Sequence, residues 1–92
     1  MKIWLYTTVD EKIIKSFVYS PEIYRDSEIE EYVKEICNEI DEPTPVFLNK
    51  HFMHMQNFNN THFTSVDFIE YISFDKMVVE VFDDKDKRNA KK

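Results

Sequence analysis

The chain has 92 residues, a third of them charged, and its formal net charge is −6 at pH 7. This length allows one domain with one modest core and is too short for two. The predicted folded part lacks the clustered lysines and arginines of a duplex-binding surface, and only the tail is basic, so we expect no direct contact with nucleic acid. Glycine is absent, which excludes the P-loop and the dinucleotide-binding fingerprint.

The cellular location is predicted from the cysteine and from hydropathy. The single cysteine, Cys37, cannot form an internal disulfide, which fits a reducing compartment. The start of the chain is apolar for only four residues before its threonines, too short for a secretory signal. No apolar run approaches the length that spans a bilayer. We therefore expect a cytoplasmic protein that does not enter a membrane.

Two strands are predicted at the start of the chain. Residues 2–9 alternate in polarity, and residues 13–20 are rich in β-branched and aromatic side chains. The short polar link between them predicts an antiparallel hairpin. Pro21 ends the second strand because it cannot donate to a ladder. Without glycine, we expect the left-handed turn positions at Asp10, Asn38, Asn59 and Asn60.

An amphipathic helix is predicted from residue 28 to about Ile40. Ser27 and Glu30 match a capping box at its start. Pro43 and Pro45 forbid its continuation and force an extended segment. Residues at helical spacing form one apolar face, and the glutamates lie mostly on the other; the apolar face comprises Ile29, Tyr32, Val33, Ile36, Cys37 and Ile40.

A shorter helix is predicted over residues 49–57, with Asn49 as its N-cap and an apolar face of Leu48, Phe52 and Met55. The apolar residues 46–48 before it fit either an edge strand or the lead into this helix.

The remaining elements are a turn, a capped helical turn and a last strand. Residues 57–61 predict the turn. Thr64 and Asp67 form a capping pattern before a helical turn over Val66–Glu70. Residues 77–82 are nearly continuous in apolar character, which predicts a strand in the middle of its sheet.

These elements predict an α+β fold, with an antiparallel three- or four-stranded sheet and one main amphipathic helix packed on one face. A single domain is predicted over residues 1–82. Residues 83–92 have no apolar pattern and are predicted to form a disordered charged tail.

A sixteen-residue run without formal charge, residues 51–66, contains all three histidines. It mixes apolar groups with neutral hydrogen-bonding ones, which suits a surface that is desolvated in the core or against a partner. Seven of the eight phenylalanines lie in residues 47–82, so we expect some of them at the surface, where aromatics mark interfaces. The predicted interaction surface comprises His51, His54, Phe58 and His62.

Metal binding is a third hypothesis for the same histidines. His51 and His54 share a face if they lie on a helix, and His62 or Cys37 would have to complete the site. A second cysteine and the glutamate of a zincin motif are both missing. Half-buried positions on an aromatic helix face explain the two histidines without a metal. We therefore assign no metal and no cofactor.

No catalytic constellation is recognisable, so we expect a protein that is not an enzyme. Cys37 lies on the apolar helix face, where burial raises a thiol pKa and makes the group inert. A serine nucleophile elbow requires glycine. Four carboxylates form a series in the second half of the chain: Asp67, Glu70, Asp75 and Glu80. Their spacing alone does not place any two of them together. Roles in capping, in a turn and at the surface explain them without catalysis.

The acidic helix gives an alternative function. Residues 22–42 hold nine acids against two bases. The face formed by Glu28, Glu31, Glu35 and Glu39 would mimic a phosphate backbone in an acidic inhibitor of a nucleic-acid-binding protein. A solvated helix face is the commoner explanation. Our main hypothesis is a small non-catalytic binding or regulatory protein that contacts a protein partner or a second copy of itself.

The second half of the chain carries a series of phenylalanines and acids: Phe58, Phe63, Asp67-Phe68-Ile69-Glu70, Phe74-Asp75 and Glu80. This series resembles a pattern in a family of small bacterial proteins of unknown function. The resemblance covers about the last half of the chain. It implies a compact domain and no known activity, so no functional residues follow from it.

Overall fold

A computed structural model describes residues 1–83, which form one antiparallel sheet of four strands and two helices. The strand order is β2-β1-β4-β3. The predicted α+β class is confirmed, and the last strand lies inside the sheet as predicted. Of the predicted tail, residues 84–92 lie outside the described residues. The strands are β1 (Lys2–Val9), β2 (Lys12–Tyr19), β3 (Asn60–Phe63) and β4 (Lys76–Phe82).

The first two strands form the predicted hairpin through a link of only two residues. Val9 pairs with Lys12, while Asp10 and Glu11 have φ angles of 51° and 66°. Two consecutive left-handed residues define a type I′ turn, whose twist matches that of the strands it joins. The left-handed position at Asp10 is confirmed, whereas the one at Glu11 was not predicted.

Helix α1 (Ile29–Ile40) buries the predicted apolar face against the sheet, with Ile40 partly exposed. A 3₁₀ turn, Asp26–Glu28, precedes it. The predicted Ser27 cap is wrong, because the N-cap residue of α1 is Glu28 and no side chain caps it. At the other end the left-handed residue is Asp41 and not Asn38; the next N–H, of Glu42, donates to the Cys37 carbonyl at 2.9 Å.

Helix α2 (Asn49–Phe58) follows the extended proline segment, so residues 46–48 are the lead into a helix. Its buried residues are His51 and Met55, one turn apart, while Leu48 and Phe52 are exposed. Of the predicted apolar face only Met55 is buried, so the face that packs on the core is rotated from the predicted one by part of a turn. Leu48, and not Asn49, is the N-cap. The helix ends at a left-handed Asn59, as predicted.

The short strand β3 replaces part of the predicted turn over residues 57–61. Asn60 is extended and not left-handed, and burial alternates along the strand, with Thr61 and Phe63 inside. The capping pattern that follows is confirmed, because the Thr64 N–H donates to Asp67 Oδ2 at 2.9 Å. The turn it starts is a 3₁₀ turn over Ser65–Asp67, shorter than predicted.

The core lies on one face of the sheet. The inner face of the two central strands presents Ile3, Leu5 and Val79, all fully buried. They form one cluster with the buried residues of both helices. On the other face of β1, Trp4 and Tyr6 are only partly buried, and their ring centroids are 4.4 Å apart. The described chain thus forms two layers, with one sheet face open.

Candidate functional site

The charge-free run forms α2, β3 and the turn after them, and its first histidine lies in the core. His51 is 1% exposed, and its ring centroid is 4.4 Å from that of Phe63. Its Nδ1 accepts a hydrogen bond from the Leu48 N–H at 2.9 Å. In a capping box the N-cap side chain accepts from the N3 backbone N–H, and the N3 side chain accepts from the N-cap N–H. Leu48 has no side-chain acceptor, so only the second of these bonds forms here, with His51 at N3. His51 therefore holds the start of α2 from inside.

The other ring nitrogen of His51 faces a buried carboxylate. His51 Nε2 lies 3.7 Å from Asp67 Oδ1 and makes no hydrogen bond among the described residues. Burial lowers the pKa of His51, and the nearby Asp67 carboxylate opposes this shift without overcoming it. Because Nδ1 is an acceptor, the neutral ring carries its proton on Nε2.

The other predicted interaction residues reach the surface to different degrees. His54 is half-buried, with Nδ1 3.1 Å from the Thr61 hydroxyl. Phe58 is 64% exposed at the end of α2. His62 is exposed on β3 and pairs in register with Val78. The predicted surface thus keeps Phe58, His62 and part of His54, whereas buried His51 cannot present its ring to a partner.

The histidines do not assemble a metal centre in residues 1–83. No group of three or more His, Cys, Asp or Glu side chains there is placed to hold one ion. His51 uses Nδ1 for the helix start and His54 uses Nδ1 at Thr61. Each ring thus has a structural contact at one of its two possible ligand atoms.

Helix α2 also exposes apolar residues that were not predicted to lie at the surface. Phe52 is 37% exposed although it was predicted to face the core, and Met53 is 58% exposed. With Leu48 and Phe58 they are the exposed apolar side chains of α2, and at about 100° per residue they are distributed around the helix and do not lie on one face. We use the name α2 surface for these four residues, Leu48, Phe52, Met53 and Phe58.

A pocket of about 280 Å³ adjoins the α2 surface at Phe52. It lies between α2, the start of α1 and the end of β4. Small-molecule sites usually hold about 300–1,000 Å³, and a cavity of about 150 Å³ accepts a benzene-sized group. The pocket therefore has room for one or two bulky side chains, and its volume is at the lower end of the range for small-molecule sites. Its lining residues are Tyr24, Asp26, Ser27, Ile29, Phe52, Met55, Gln56, Asn59 and Val81.

The electrostatics of the pocket are set by one carboxylate. Among residues 1–83, Asp26 is the only lining residue with a formal charge. Burial raises the pKa of Tyr24 well above its usual range, and a hydrogen bond to Asp26 adds to the shift. The Tyr24 hydroxyl therefore stays protonated beside the carboxylate. This arrangement favours a positively charged group at the pocket mouth and disfavours an anion.

Only part of this pocket was within reach of sequence reasoning. Phe52, Met55, Gln56 and Asn59 belong to or adjoin the charge-free run, which was singled out for its composition. Tyr24, Ile29 and Val81 come from parts of the chain up to about sixty residues apart. No local pattern marks residues that meet only through tertiary packing.

The acidic face of α1 is exposed over three of its four residues. Glu31, Glu35 and Glu39 form no ion pair within residues 1–83, whereas Glu28 lies 3.3 Å from Arg25. The face is therefore a row of charges in solvent.

The residues weighed for catalysis have structural positions. Cys37 is fully buried, and burial raises its pKa to about 12; Glu42 adds to the shift and a bond to Thr44 opposes it. Asp67 caps a turn, and Asp75 Oδ2 accepts the Asp10 N–H at 2.8 Å beside the hairpin turn.

Comparison with known proteins found no matching protein family, no matching curated protein and no matching solved structure. The resemblance in the second half of the chain therefore rests on its residues alone. Neither helix of residues 1–83 is long and apolar enough to cross a membrane.

Proposed function

We propose that this protein is a non-catalytic binding protein that takes an apolar side chain of a protein partner into the pocket beside α2. The observation that carries the proposal is the pocket of about 280 Å³ next to the exposed Phe52. A bulky side chain of the partner fills it, and Phe52 packs against that anchor. Interfaces depend on a few such anchors in pockets, surrounded by contacts that exclude water.

The charge of the protein supports a basic partner. The net charge is −6, and Asp26 is the one charged residue that the described part of the chain places in the pocket. A lysine or arginine next to the anchor residue pairs with Asp26, and the overall negative potential steers such a partner. The proposed ligand is thus a segment with a large apolar residue adjacent to a base.

A selection from a random peptide library on the immobilised full-length protein tests this proposal. Enriched peptides are expected to share a bulky apolar residue beside a lysine or arginine. Their affinity should fall about tenfold or more for Phe52→Ala, since loss of an anchor contact exceeds about 1.4 kcal/mol. The matched control is Ile69→Ala, because Ile69 is 92% exposed and lies outside the pocket.

The same selection distinguishes the alternative, an acidic inhibitor of a nucleic-acid-binding protein. The exposure of Glu31, Glu35 and Glu39 favours it. Under this alternative the peptides are purely basic, and binding is lost in the Glu31→Lys, Glu35→Lys variant and in high salt but retained in Phe52→Ala. That result, or the absence of any enriched peptide, would contradict the pocket proposal.

A further inference from the structure

The two edges of the sheet differ in length and in exposure. At one edge β3 has four residues, and short edge strands resist further pairing. At the other edge β2 has eight residues, and six of them are exposed. No backbone group of β2 is bonded outside its ladder with β1 within residues 1–83. The outward N–H and C=O groups of β2 are therefore available to another strand.

The side chains of β2 are unusually apolar for an open edge. Ile13, Ile14 and Val18 are each about half exposed. A β-bulge near Ile14, where the register with β1 shifts, distorts the first part of the strand. Bulges and lysines usually protect an edge. Here the bulge leaves residues 15–19 regular, and the Lys15 ammonium is held at 2.8 Å from Glu42.

We propose that β2 is a self-association surface, on which a second copy of this chain adds its own β2 antiparallel to the first. Two identical antiparallel strands are related by a two-fold axis, so the unpaired backbone of one copy complements that of the other. With the axis at Phe17, Ser16 faces Val18 of the partner subunit and Lys15 faces Tyr19 of the partner subunit. No like charges are opposed in this register.

The size and charge of this contact predict a concentration-dependent dimer. Pairing along one strand involves less surface than the roughly 800 Å² per partner of a standard interface. Each copy carries a net charge of −6. Mutual repulsion therefore weakens the dimer in low salt, and screening strengthens it. This salt dependence is opposite to that expected for capture of a basic partner.

Sedimentation equilibrium of the full chain, from about 10 µM to about 1 mM at low salt and near 0.5 M salt, tests the proposal. We expect a monomer–dimer equilibrium that strengthens with salt. Val18→Glu should weaken it about tenfold or more, because the two new carboxylates, one from each copy, lie diagonally across the axis on the same face of the sheet. The matched control is Ile69→Glu, which adds the same charge at a residue that is 92% exposed and outside β2.

Amide hydrogen exchange locates the contact independently of any variant. The outward amides of residues 15–19 should exchange more slowly at high protein concentration, while those bonded to β1 change little. A monomer at all concentrations and salts would overturn the proposal. An equal effect of Ile69→Glu, or a dimer without added protection in β2, would do the same.

Discussion

His51 shows how one buried side chain links the charge-free run to stability. Its Nδ1 accepts the Leu48 N–H, so the ring must be neutral for this bond to form. Protonation would place a second donor at that nitrogen. The ring lies against Phe63 in the core, where a charge is poorly solvated. The composition of the run predicted a region that is desolvated. It did not predict that His51 is the histidine that faces the core.

We expect the stability of the protein to fall as the pH drops below about 6.5. The unfolded chain binds a proton at His51 near that pH, whereas the folded pKa is lowered by burial. The unfolded state thus binds more protons, and the free energy of unfolding rises with pH until about 6.5. Urea unfolding between about pH 5 and 7.5 measures this slope.

A matched pair of variants assigns that slope to His51. In His51→Gln the amide oxygen still accepts the Leu48 N–H but does not titrate, so the dependence on pH should become shallower. His62→Gln removes an exposed imidazole on β3 and serves as the control. If both variants show the wild-type slope, His51 is not the group responsible.

Glu11 is a second residue whose backbone departs from what its side chain prefers. Its φ of 66° lies in the left-handed region, which costs a residue with a Cβ about 1–2 kcal/mol. Glu11→Gly removes this strain but adds entropy to the unfolded chain. We therefore expect a net gain of about 1 kcal/mol or less in the free energy of unfolding, measured in urea. Lys12→Gly, at the adjacent strand position, should instead destabilise the protein.

At the scale of elements, the sequence identified those whose patterns are long. The buried face of α1 was predictable because its apolar spacing repeats about three times over twelve residues. In α2 only ten residues are available, and His51, polar by type, takes a core position that Phe52 was expected to hold. Strand β3 has four residues and was hidden in a predicted turn, although its burial alternates as a strand should.

The site was less predictable than the fold. Phe58 and His62 are exposed as an interaction surface requires, but the pocket joins Phe52 to Tyr24 and Val81 through tertiary packing. The correct handedness of the turn at Asp10 was predicted because asparagine and aspartate tolerate positive φ best. Nothing in the residue type of Glu11 indicates the same.

Phe58 is the last residue of α2 and Phe63 is the last residue of β3. Comparing them tests which parts of the charge-free run are buried. Phe63 is fully buried and packs against Phe47, His51 and Phe68, whereas Phe58 is 64% exposed. We expect Phe63→Ala to lower the free energy of unfolding by about 3–5 kcal/mol and Phe58→Ala by less than about 1 kcal/mol. Chemical unfolding of both variants measures the difference. Equal losses would contradict the surface position of Phe58.

At the scale of the molecule, the two layers leave three surfaces with different chemistry. The open sheet face carries Trp4 and Tyr6, the β2 edge carries exposed aliphatic groups, and α1 carries acids in solvent. Apolar association at the first two is opposed by the net charge of −6, and salt shifts that balance. The charge of the molecule therefore acts on association as a whole, but its effect on folding depends on where each acid lies.

The helix dipole gives the acids of α1 a local effect that is separable from net charge. The last turn of α1 contains no base, and Glu35 and Glu39 lie towards its C-terminus, where the dipole is negative. Replacing both by lysine should raise the free energy of unfolding by about 1 kcal/mol at low salt, and by less near 0.5 M salt. Urea unfolding at the two salt concentrations measures the change without adding a charged denaturant.

The control for this charge reversal is Glu22→Lys with Glu70→Lys, since both residues are exposed and lie outside the helices. Each Glu→Lys change adds two charges, so either pair of substitutions takes the net charge from −6 to −2. If net charge controls stability, the weaker repulsion across the molecule would stabilise both double variants alike. A gain confined to the α1 pair assigns the effect to the helix end, because the dipole field falls off beyond about the last turn and therefore acts mainly at Glu39. An equal gain would contradict that assignment and make net charge the controlling quantity.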